Sequence, residues 1–494
     1  MYAAVSSATL SGVDAVKVTV EVYVSGGLPT FTIVGLPGAA VQESRERVRA
    51  ALKGLGAPLS PSRVTVNLAP ADVRKEGPSF DLPIALGLLA AAGHLPARRL
   101  DGYLAFGELA LDGTLRDVRG SVSMAVEALA AGKALLCAPG NAAEAAAVPG
   151  TVCHGPATLA AAVAHLRGRV SLPALEPAVR PMRSAHEDLA EVRGQAQGKR
   201  LLEIAAAGRH SALLTGPPGA GKTMLARRLP GLLPPLGVSA ALEVGRVYSA
   251  AGVPRGPGLD LAPPFRAPHH SGSEAGIIGG GANPRPGEAS LAHRGVLFLD
   301  EAPEFARGVL EALRQPLESG EVVLVRASGA VALPARFQLV AAMNPCPCGR
   351  ALDPDPDACV CSRVERMRYA AKLSGPLLDR IDLRLAVPRL SREELIASAA
   401  GEPTAAVAAR VAAARDMAQQ RQGCPNADLV GPGLRQHAMP GPGARSLLRD
   451  LVDRLRLSAR GFDRLLRVAR TIADLEGAVT VDAGHLGEAA AFRV

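Results

Sequence analysis

The chain has 494 residues and a net charge of +9, so it is long enough for about two to four domains and permits a nucleic-acid partner. Hydrophobic residues make up 48% of the chain and charged residues 20%, which excludes an intrinsically disordered protein. Apolar runs stay below the roughly 18 residues that a membrane span needs, and seven cysteines are too few for a disulfide framework here, so we expect a cytoplasmic protein without a membrane partner.

The N-terminal third predicts an α+β domain. Val16–Val22 alternates valine with polar residues, the pattern of a half-buried strand, and further strand and helix signals continue to about residue 165. The stretch 166–193 contains Pro173, Pro177 and Pro181 and few periodic apolar positions, which predicts a linker. We therefore expect the next domain to begin near residue 194.

The most specific motif is Gly216–Thr223, which fits the pattern G-x-x-x-x-G-K-[ST]. It follows the apolar run Ala212–Thr215, which indicates a buried strand, and it opens a helix-compatible segment. Such glycines let backbone N–H groups point at phosphate oxygens, while Lys222 supplies a charge for the β- and γ-phosphates and Thr223 a ligand for Mg²⁺. The predicted site for ATP and Mg²⁺ consists of Gly216, Pro217, Pro218, Gly219, Ala220, Gly221, Lys222 and Thr223.

Two later strands predict catalytic groups at the same site. Residues 295–299 form an apolar run that ends at Asp300 and Glu301, which predicts a buried parallel strand with two carboxylates at its carboxyl end. Asp300 would hold Mg²⁺, and Glu301 would polarise the attacking water. Residues 337–343 predict another strand, which ends at Asn344; its amide can orient that water, and a structural capping role is the alternative.

Two arginines are candidates for contact with bound nucleotide, and Arg380 is the candidate for the γ-phosphate. Arg380 lies at a turn after a helix-compatible segment, from which it could reach the nucleotide of a neighbouring subunit. Arg460 lies at the start of a C-terminal helix, from which it could contact nucleotide in its own subunit. Because arginines are mostly exposed in proteins, an ordinary surface position is the alternative for each of them.

The second half of the chain predicts two further regions. Residues 194–395 carry the strand and loop motifs of an α/β nucleotide-binding core. Residues 396–494 are rich in alanine, leucine and arginine at helical spacing, which predicts a C-terminal helical lid. A generic helical bundle is the alternative for this last region.

Three additional motifs carry a family resemblance. They are RAPHHS at 266–271, GGGANPRPGE at 279–288 and MNPCPCG at 343–349. With them, residues 190–494 resemble the magnesium-chelatase-type AAA+ ATPases, and the whole chain resembles their ComM/YifB branch. The resemblance implies an AAA+ P-loop core, a hexameric homo-oligomeric ring that hydrolyses ATP between subunits, and DNA helicase activity that drives branch migration during natural transformation.

Two insertions in the core fit that branch. Lys222 and Asp300 lie 78 residues apart, more than one helix and one strand need, and the surplus lies in 254–287. Residues 321–336 predict a hairpin with Ser328-Gly329 at its tip. The resemblance implies that both insertions contact DNA in a pore, where arginines bind phosphates without reading bases; a purely structural role is the alternative. The candidate DNA contacts are Arg266, Arg285 and Arg326.

Four cysteines form a cluster with the spacing C-x-C-x₁₀-C-x-C. Two close pairs fit tetrahedral coordination of Zn²⁺ by thiolates, although the spacing within each pair is tighter than usual. A closed structural site would pin the loop after Asn344, whereas free buried thiols and an iron–sulfur or redox role are the alternatives. The candidate ligands are Cys346, Cys348, Cys359 and Cys361.

The N-terminal domain resembles the Lon-protease-like, ribosomal-S5-like domain that is fused to this family. The resemblance rests on residues 76–85 and 107–113 and places Ser79 at the position of the Lon nucleophile. Lon supplies the base as a lysine about forty residues later, and that position is Val122 here. Lys133, the nearest later lysine, lies in a different local setting. We therefore expect an inactive protease fold that serves assembly or DNA binding.

Three functions remain open at this point. The favoured interpretation is an ATP-driven DNA motor, supported by the fused N-terminal domain, the cysteine pairs and the basic charge balance. The alternative is the AAA+ subunit of a metal-chelatase complex that remodels a protein partner for Mg²⁺ insertion. An ATP-dependent serine protease is the third interpretation, and Val122 counts against it.

Overall fold

Two principal sheets organise the chain, one in its N-terminal third and one behind the phosphate-binding motif. The computed structural model describes residues 1–59, 61–176, 178–180, 187–253, 255–281, 284–326, 329–353, 358–390 and 401–493. Over these ranges the protein is mixed α/β, and each helix is too short or too polar to cross a bilayer.

The N-terminal third is built on a seven-stranded mixed sheet. Its first two strands pair antiparallel with Val5 opposite Val20, and the predicted alternation leaves Val18, Val20 and Val22 fully buried. In spatial order the strands are Thr30–Val34, Arg63–Ala69, Asp14–Ser25, Tyr2–Ser11, Tyr103–Ala105, Ala134–Leu136 and Cys153–His154. A small hairpin pairs Glu108–Leu109 with Leu115–Arg116. The α-helices of this region are Ala39–Gly54, Asp81–Ala91, Ser121–Ala130, Pro139–Ala145 and Leu159–Leu166.

The nucleotide-binding core is built on a five-stranded parallel sheet. In spatial order its strands are Phe265–Arg266, Val296–Leu299, Gln338–Met343, Ala212–Thr215 and Leu383–Ala386. The three central strands are buried almost throughout, as expected for a sheet covered on both faces. Because neighbouring strands run parallel, the phosphate-binding motif, Asp300 and Asn344 all follow carboxyl ends at the same edge of the sheet.

The rest of the core consists of helices and the two insertions. The α-helices are Ala196–Gly208, Lys222–Leu232, Val238–Ala251, Glu274–Ile277, Glu288–Leu291, Arg307–Ala312, Arg314–Ser319, Arg363–Ala370 and Gly375–Leu378. The first insertion pairs Gly279–Gly280 with Arg285–Pro286. The predicted hairpin is present as the antiparallel strands Glu321–Arg326 and Gly329–Pro334, and Ser328 of its predicted tip lies outside the described residues. Across the described chain as a whole, short 3₁₀ turns occur at Ala97–Arg99, Leu189–Glu191, Ala302–Glu304, Asn426–Asp428 and Pro442–Ala444.

The C-terminal region is helical, as its spacing predicts. Its α-helices are Thr404–Gln422, Gly431–Ala438, Arg445–Arg454, Ala459–Leu475 and Ala483–Ala491. Leu465 and Ile472 of the fourth helix belong to the same hydrophobic core as Leu214 of the sheet and Leu229 of the helix after the phosphate-binding motif. The predicted boundary between core and lid, at residues 395 and 396, lies outside the described residues.

The segment predicted as a linker contacts the core over part of its length. Val179–Arg180 pairs in parallel with Leu259–Asp260, and Leu189 and Val192 are buried in the core. Two or three buried apolar residues in a segment this short are too few to produce a periodic signal, which is why the sequence did not reveal them. Pro177 and Pro181 of this segment lie outside the described residues.

The N-terminal domain meets the core through the turn between its first two strands. Val13 packs into the hydrophobic cluster that contains Val244 and Leu333, and its carbonyl accepts a 2.5 Å hydrogen bond from Ser123 Oγ. Gly12 has a φ of +65°, and a β-carbon there would lie 2.7 Å from Val331 in the hairpin. The base of the hairpin is therefore held by a turn of the N-terminal domain.

Candidate functional site

The phosphate loop, Gly216–Thr223, joins the strand Ala212–Thr215 to the helix Lys222–Leu232. Gly219 and Gly221 have φ angles of +79° and +90°, which side chains rarely tolerate, and they let the loop curl back over the start of the helix. The free N–H groups of a helix N-terminus, together with the helix dipole, favour an anion at this point. The loop therefore has the conformation of a phosphate cradle.

Lys222 and Asn344 lie together above this loop. The Lys222 side chain is 9% exposed, and its ammonium donates to the carbonyls of Gly216 at 2.6 Å and Pro217 at 3.0 Å and to Asn344 Oδ1 at 3.1 Å. Burial lowers the pKa of Lys222, and the carboxylates of Asp300 and Glu301 oppose that shift. The structure thus brings the predicted lysine and the predicted amide into direct contact.

Thr223 and Asp300 also meet. Thr223 Oγ1 donates a 2.7 Å hydrogen bond to Asp300 Oδ2, and Asp300 Oδ1 accepts from the backbone N–H of Glu301 at 3.0 Å. A hydroxyl and a carboxylate beside a phosphate cradle form the oxygen donor set that Mg²⁺ uses, since this ion keeps several waters and takes few protein ligands. The two residues predicted to hold Mg²⁺ fit that ion.

Glu301 is held in an unusual backbone conformation. Its φ of +50° and ψ of +44° place it in the left-handed region, which costs a residue with a side chain about 1–3 kcal/mol. Its carboxylate is more than half exposed and lies 3.8 Å from His270 Nδ1. Strain at such a position is typical of functional sites. The sequence did not reveal the His270 contact, because the two residues are far apart in the chain.

These groups surround one cavity of about 420 Å³. Its walls are residues 218–224, Asp300, Glu301, Met343 and Asn344. A residue outside the predicted set also supports it: Gln195 donates to the carbonyls of Ala220 at 3.1 Å and Pro388 at 2.8 Å and so holds the phosphate loop against the last strand of the sheet.

Arg380 and Arg460 lie elsewhere, around a second cavity of about 570 Å³. Arg380 donates to the carboxylate of Glu318 and to the carbonyl of Pro376, and Arg460 Nη2 lies 3.8 Å from the same Glu318 oxygen. Arg380 precedes the strand Leu383–Ala386 at its amino end, whereas the phosphate loop follows the carboxyl end of the adjacent strand. Strands of this length separate the two edges by roughly 13 Å.

In this structure Arg460 lies away from the phosphate-loop cavity, and its contact with nucleotide in its own subunit stays a prediction. Arg460 shares its acceptor with Arg380 and does not line the phosphate-loop cavity. The helix Ala459–Leu475 begins beside the amino ends of the strands, a position that helical spacing alone does not reveal. Glu318, which joins the two arginines, was also missed by the sequence analysis.

The three arginines predicted to contact DNA have different environments. Arg266 forms a bidentate pair with Glu288 at 2.6 and 2.7 Å, so its charge is already neutralised and it is poorly placed to bind phosphate. Arg285 is exposed, and among the described residues no carboxylate pairs with it. Arg326 ends a hairpin strand, and its side chain lies outside what the structure describes.

Arg119 of the N-terminal domain joins this basic surface. Burial, followed by the positive charge of Arg285, lowers the pKa of Arg119. Such mutual repulsion means that an anion near both guanidinium groups would be stabilised. The sequence offered no signal for this residue, because it lies in a different domain from the insertions.

The four cysteines of the predicted metal site are brought together. Cys346 Sγ lies 3.4 Å from Cys348 Sγ and 3.7 Å from Cys359 Sγ, and all four sulfurs lie within 4.8 Å of one another. Tetrahedral Zn²⁺ with Zn–S bonds of about 2.3 Å needs sulfurs roughly 3.8 Å apart. The backbone N–H of Arg350 is the main cause that lowers the pKa of Cys348 to about 6, whereas desolvation and the neighbouring sulfurs raise the pKa values of Cys359 and Cys361.

Ser79 is the residue that the Lon resemblance matches to a serine nucleophile. Val122, at the position of the Lon lysine, is buried. The ammonium of Lys133 donates to Ser6 Oγ at 2.6 Å, so the nearest later lysine is engaged in the sheet. Within the described part of the chain, no hydrogen bond joins the Ser79 hydroxyl to a lysine.

Comparison with known proteins places the chain in a family. Residues 188–395 match the family described as magnesium chelatase, subunit ChlI; residues 20–141 match subunit ChlI of Mg-chelatase; and residues 401–493 match the magnesium chelatase, subunit ChlI C-terminal family. YifB of Escherichia coli (strain K12), described as uncharacterized, is 46% identical over 484 residues, which cover 98% of this chain and 95% of YifB.

Two other relatives extend over nearly the same length. An uncharacterized protein of Mycobacterium tuberculosis (strain ATCC 25618 / H37Rv) is 46% identical over 494 residues, covering 99% of this chain and 97% of the relative. Competence protein ComM of Haemophilus influenzae (strain ATCC 51907 / DSM 11121 / KW20 / Rd) is 44% identical over 497 residues, with coverages of 99% and 97%. The chain therefore belongs to the magnesium-chelatase ChlI family, in the branch that contains YifB and ComM.

Proposed function

We propose that the protein is an ATPase that works as a ring of identical subunits, a hexamer, and drives branch migration of DNA. The observation that carries this proposal is the separation of the phosphate-loop cavity from Arg380 and Arg460. In a ring, the arginine edge of one subunit can face the phosphate-loop edge of the next. Each nucleotide would then be bound by one chain and hydrolysed with help from two.

The roles of the residues follow from their positions. Lys222 and the loop N–H groups bind the β- and γ-phosphates, and Thr223 and Asp300 would hold Mg²⁺, which neutralises charge on the phosphates. Glu301 accepts a proton from the attacking water, and Asn344 orients that water. Arg380 and Arg460 of the neighbouring subunit stabilise the charge that develops on the transferred phosphoryl group.

The DNA-binding part of the proposal rests on Arg285 and on the hairpin whose first strand ends at Arg326. Both belong to insertions in the core, and Arg285 is exposed without a carboxylate partner among the described residues. Exposed arginines bind the phosphate backbone irrespective of base sequence, as a motor that moves along DNA requires. The name of ComM as a competence protein supports a substrate of this kind.

The N-terminal domain is proposed to be a Lon-like fold without peptidase activity. Val122 and the engagement of Lys133 with Ser6 support the loss of a catalytic base. The contact of Gly12 and Val13 with the hairpin supports a role in positioning the DNA-binding insertions. Zn²⁺ is proposed as a structural ion at the four cysteines.

A second candidate is a chelatase-type subunit that remodels a protein partner. The matches to magnesium chelatase subunit families support this candidate. Arg285, which has no carboxylate partner among the described residues, favours the DNA motor instead.

The two candidates differ in one assay. Purified protein is incubated with a synthetic three- or four-stranded DNA junction and ATP, and strand exchange is followed together with ATP hydrolysis in the presence and absence of DNA. We expect ATP-dependent migration and DNA-stimulated hydrolysis, both lost in Lys222→Ala. ATP hydrolysis that ignores DNA, without migration of any forked or four-way junction, would support the chelatase-type alternative.

A further inference from the structure

The turn that carries the first cysteine pair packs directly on the phosphate loop. Gly349, which follows Cys348, has a φ of +79°, and a β-carbon there would lie 2.5 Å from Cδ and 2.8 Å from Cγ of Pro218. The N–H of Gly349 donates to the carbonyl of Cys346 at 3.0 Å, which closes the turn. The close approach leaves no room for a side chain at Gly349.

The same segment reaches the nucleotide site at its other end. Asn344, two residues before Cys346, accepts the hydrogen bond from Lys222. Between these two contacts Cys346 is fully buried. The segment from Asn344 to Gly349 therefore spans one side of the phosphate loop, from Lys222 to Pro218.

The two sides of the phosphate loop are supported differently. On one side, Gln195 forms hydrogen bonds of ordinary length with Ala220 and Pro388. On the other side, within the described residues, the supporting turn is closed by the backbone hydrogen bond from Gly349 to Cys346 and packs on Pro218 through a glycine. Four thiols or thiolates do not hold such a turn by themselves, because sulfur–sulfur hydrogen bonds are weak and thiolates repel one another.

A metal ion would supply the missing support. Cys359 and Cys361 come from the segment that leads into the helix Arg363–Ala370, whose first turn is fixed by a capping box between Ser362 and Glu365. An ion bound by both cysteine pairs would tie the turn on the phosphate loop to this fixed helix start. The sulfurs of Cys346, Cys348 and Cys359 lie 3.4 to 3.7 Å apart, and all four sulfurs lie within 4.8 Å of one another, which fits such an ion.

We infer that a thiophilic divalent cation, bound by Cys346, Cys348, Cys359 and Cys361, braces the phosphate loop through the Gly349–Pro218 contact and thereby sets nucleotide affinity. The inference rests on the proposed nucleotide site and adds a second ligand that controls it. The metal does not touch the nucleotide. It keeps the loop in the conformation that binds phosphate.

The first experiment uses full-length protein, Zn²⁺ as the probe metal and a fluorescent ATP analogue as the probe nucleotide. We expect about one Zn²⁺ per chain, and stripping with a chelator should weaken analogue binding by about tenfold, the cost of re-ordering roughly one backbone residue. Adding Zn²⁺ back should restore affinity. Cys359→Ser, which leaves the turn on Pro218 unaltered in sequence, should reproduce the stripped state.

A second variant separates the contact from the metal. Gly349→Ala keeps all four cysteines but drives a β-carbon into Pro218, so nucleotide affinity should fall while Zn²⁺ content stays at that of the unsubstituted protein. The matched control is Gly423→Ala at the end of the helix Thr404–Gln422. Gly423 has a similar φ of +72°, but a β-carbon there meets nothing within 4 Å, so affinity should not change.

The outcomes distinguish this inference from the proposed function. Analogue affinity that is unchanged after metal removal, or unchanged in Gly349→Ala, overturns the brace while leaving the nucleotide site intact. Protein that holds no metal when purified without chelator, and gains no affinity from added Zn²⁺, also overturns it. Protein that holds Zn²⁺ but binds no nucleotide in any state overturns the proposed function together with the brace.

Discussion

The carboxyl and amino edges of the core sheet differ in how many of the predicted nucleotide-site groups contact one another there. At the carboxyl edge, the predicted groups contact one another within a single chain: Lys222 with Asn344, and Thr223 with Asp300. At the amino edge, among the described residues, Arg380 and Arg460 contact Glu318 and a backbone carbonyl. One edge holds groups that already contact one another, and the other holds charged groups that lie roughly 13 Å from it. In the proposed ring, a single chain would therefore carry two different halves of a site.

The largest effect on ATP hydrolysis is expected from a substitution at the amino edge of the sheet. Arg380→Ala should lower kcat for ATP hydrolysis by about 10³-fold or more, the range found for arginines that act across an interface. Nucleotide affinity should stay unchanged, because Arg380 lies outside the phosphate-loop cavity. Steady-state hydrolysis and equilibrium binding of a fluorescent ATP analogue measure the two quantities separately.

Mixing shows whether Arg380 acts on a neighbour. Arg380→Ala subunits combined with Glu301→Gln subunits can form interfaces in which both halves are unsubstituted, which neither variant forms alone. Hydrolysis should therefore recover in part in the mixture. Rings that exchange subunits but stay inactive would argue that Arg380 serves its own chain.

The next largest effect on ATP hydrolysis is expected from a substitution at the carboxyl edge of the sheet. Glu301→Gln should lower kcat by about 10²- to 10⁴-fold, because an amide cannot take a proton from water. Nucleotide should still bind, since the phosphate loop is unaltered. Glu304→Gln is the matched control: this residue lies one turn further along and pairs with Lys372 at 3.3 Å. Similar losses in both variants would count against Glu301 as the base.

A smaller change in ATP hydrolysis is expected from a substitution of Glu318, the partner of Arg380 at the amino edge. Because this carboxylate holds Arg380 on its own subunit, Glu318→Gln should free the guanidinium and raise ring kcat by about two- to fivefold, the worth of an exposed ion pair. Glu402→Gln, which breaks the Arg410 pair in the C-terminal region, should have no effect. A fall in kcat toward the level of Arg380→Ala would mean that Glu318 orients Arg380 for catalysis instead.

The smallest expected effect concerns DNA. Arg285→Ala should weaken binding of DNA of any sequence by about threefold and reduce the slope of log affinity against log salt by roughly one unit. Hydrolysis without DNA should not change. Arg449→Ala, an exposed arginine on the helix Arg445–Arg454, provides the control for loss of one charge. Equal salt slopes for the two variants would remove Arg285 from the DNA surface.

The sequence by itself determined the groups that lie within contiguous motifs. The phosphate loop, Asp300 and Glu301 each follow a run of apolar residues, and parallel strands bring such carboxyl ends to one edge. Asn344 follows from the same rule. The spacing of Cys346, Cys348, Cys359 and Cys361 also predicted their cluster. The two sulfurs of each closely spaced pair lie near each other, so only the two pairs have to meet.

Only the tertiary structure decided the contacts between distant segments. It placed Arg460 beside Arg380 instead of at its own phosphate loop, paired Arg266 with Glu288, and packed Gly349 on Pro218. The physical reason is that periodicity and spacing report which side of an element is buried, but not which other element covers it. Which element covers a buried face depends on the packing of the whole core. The residues of a motif form a site only when that packing brings them together.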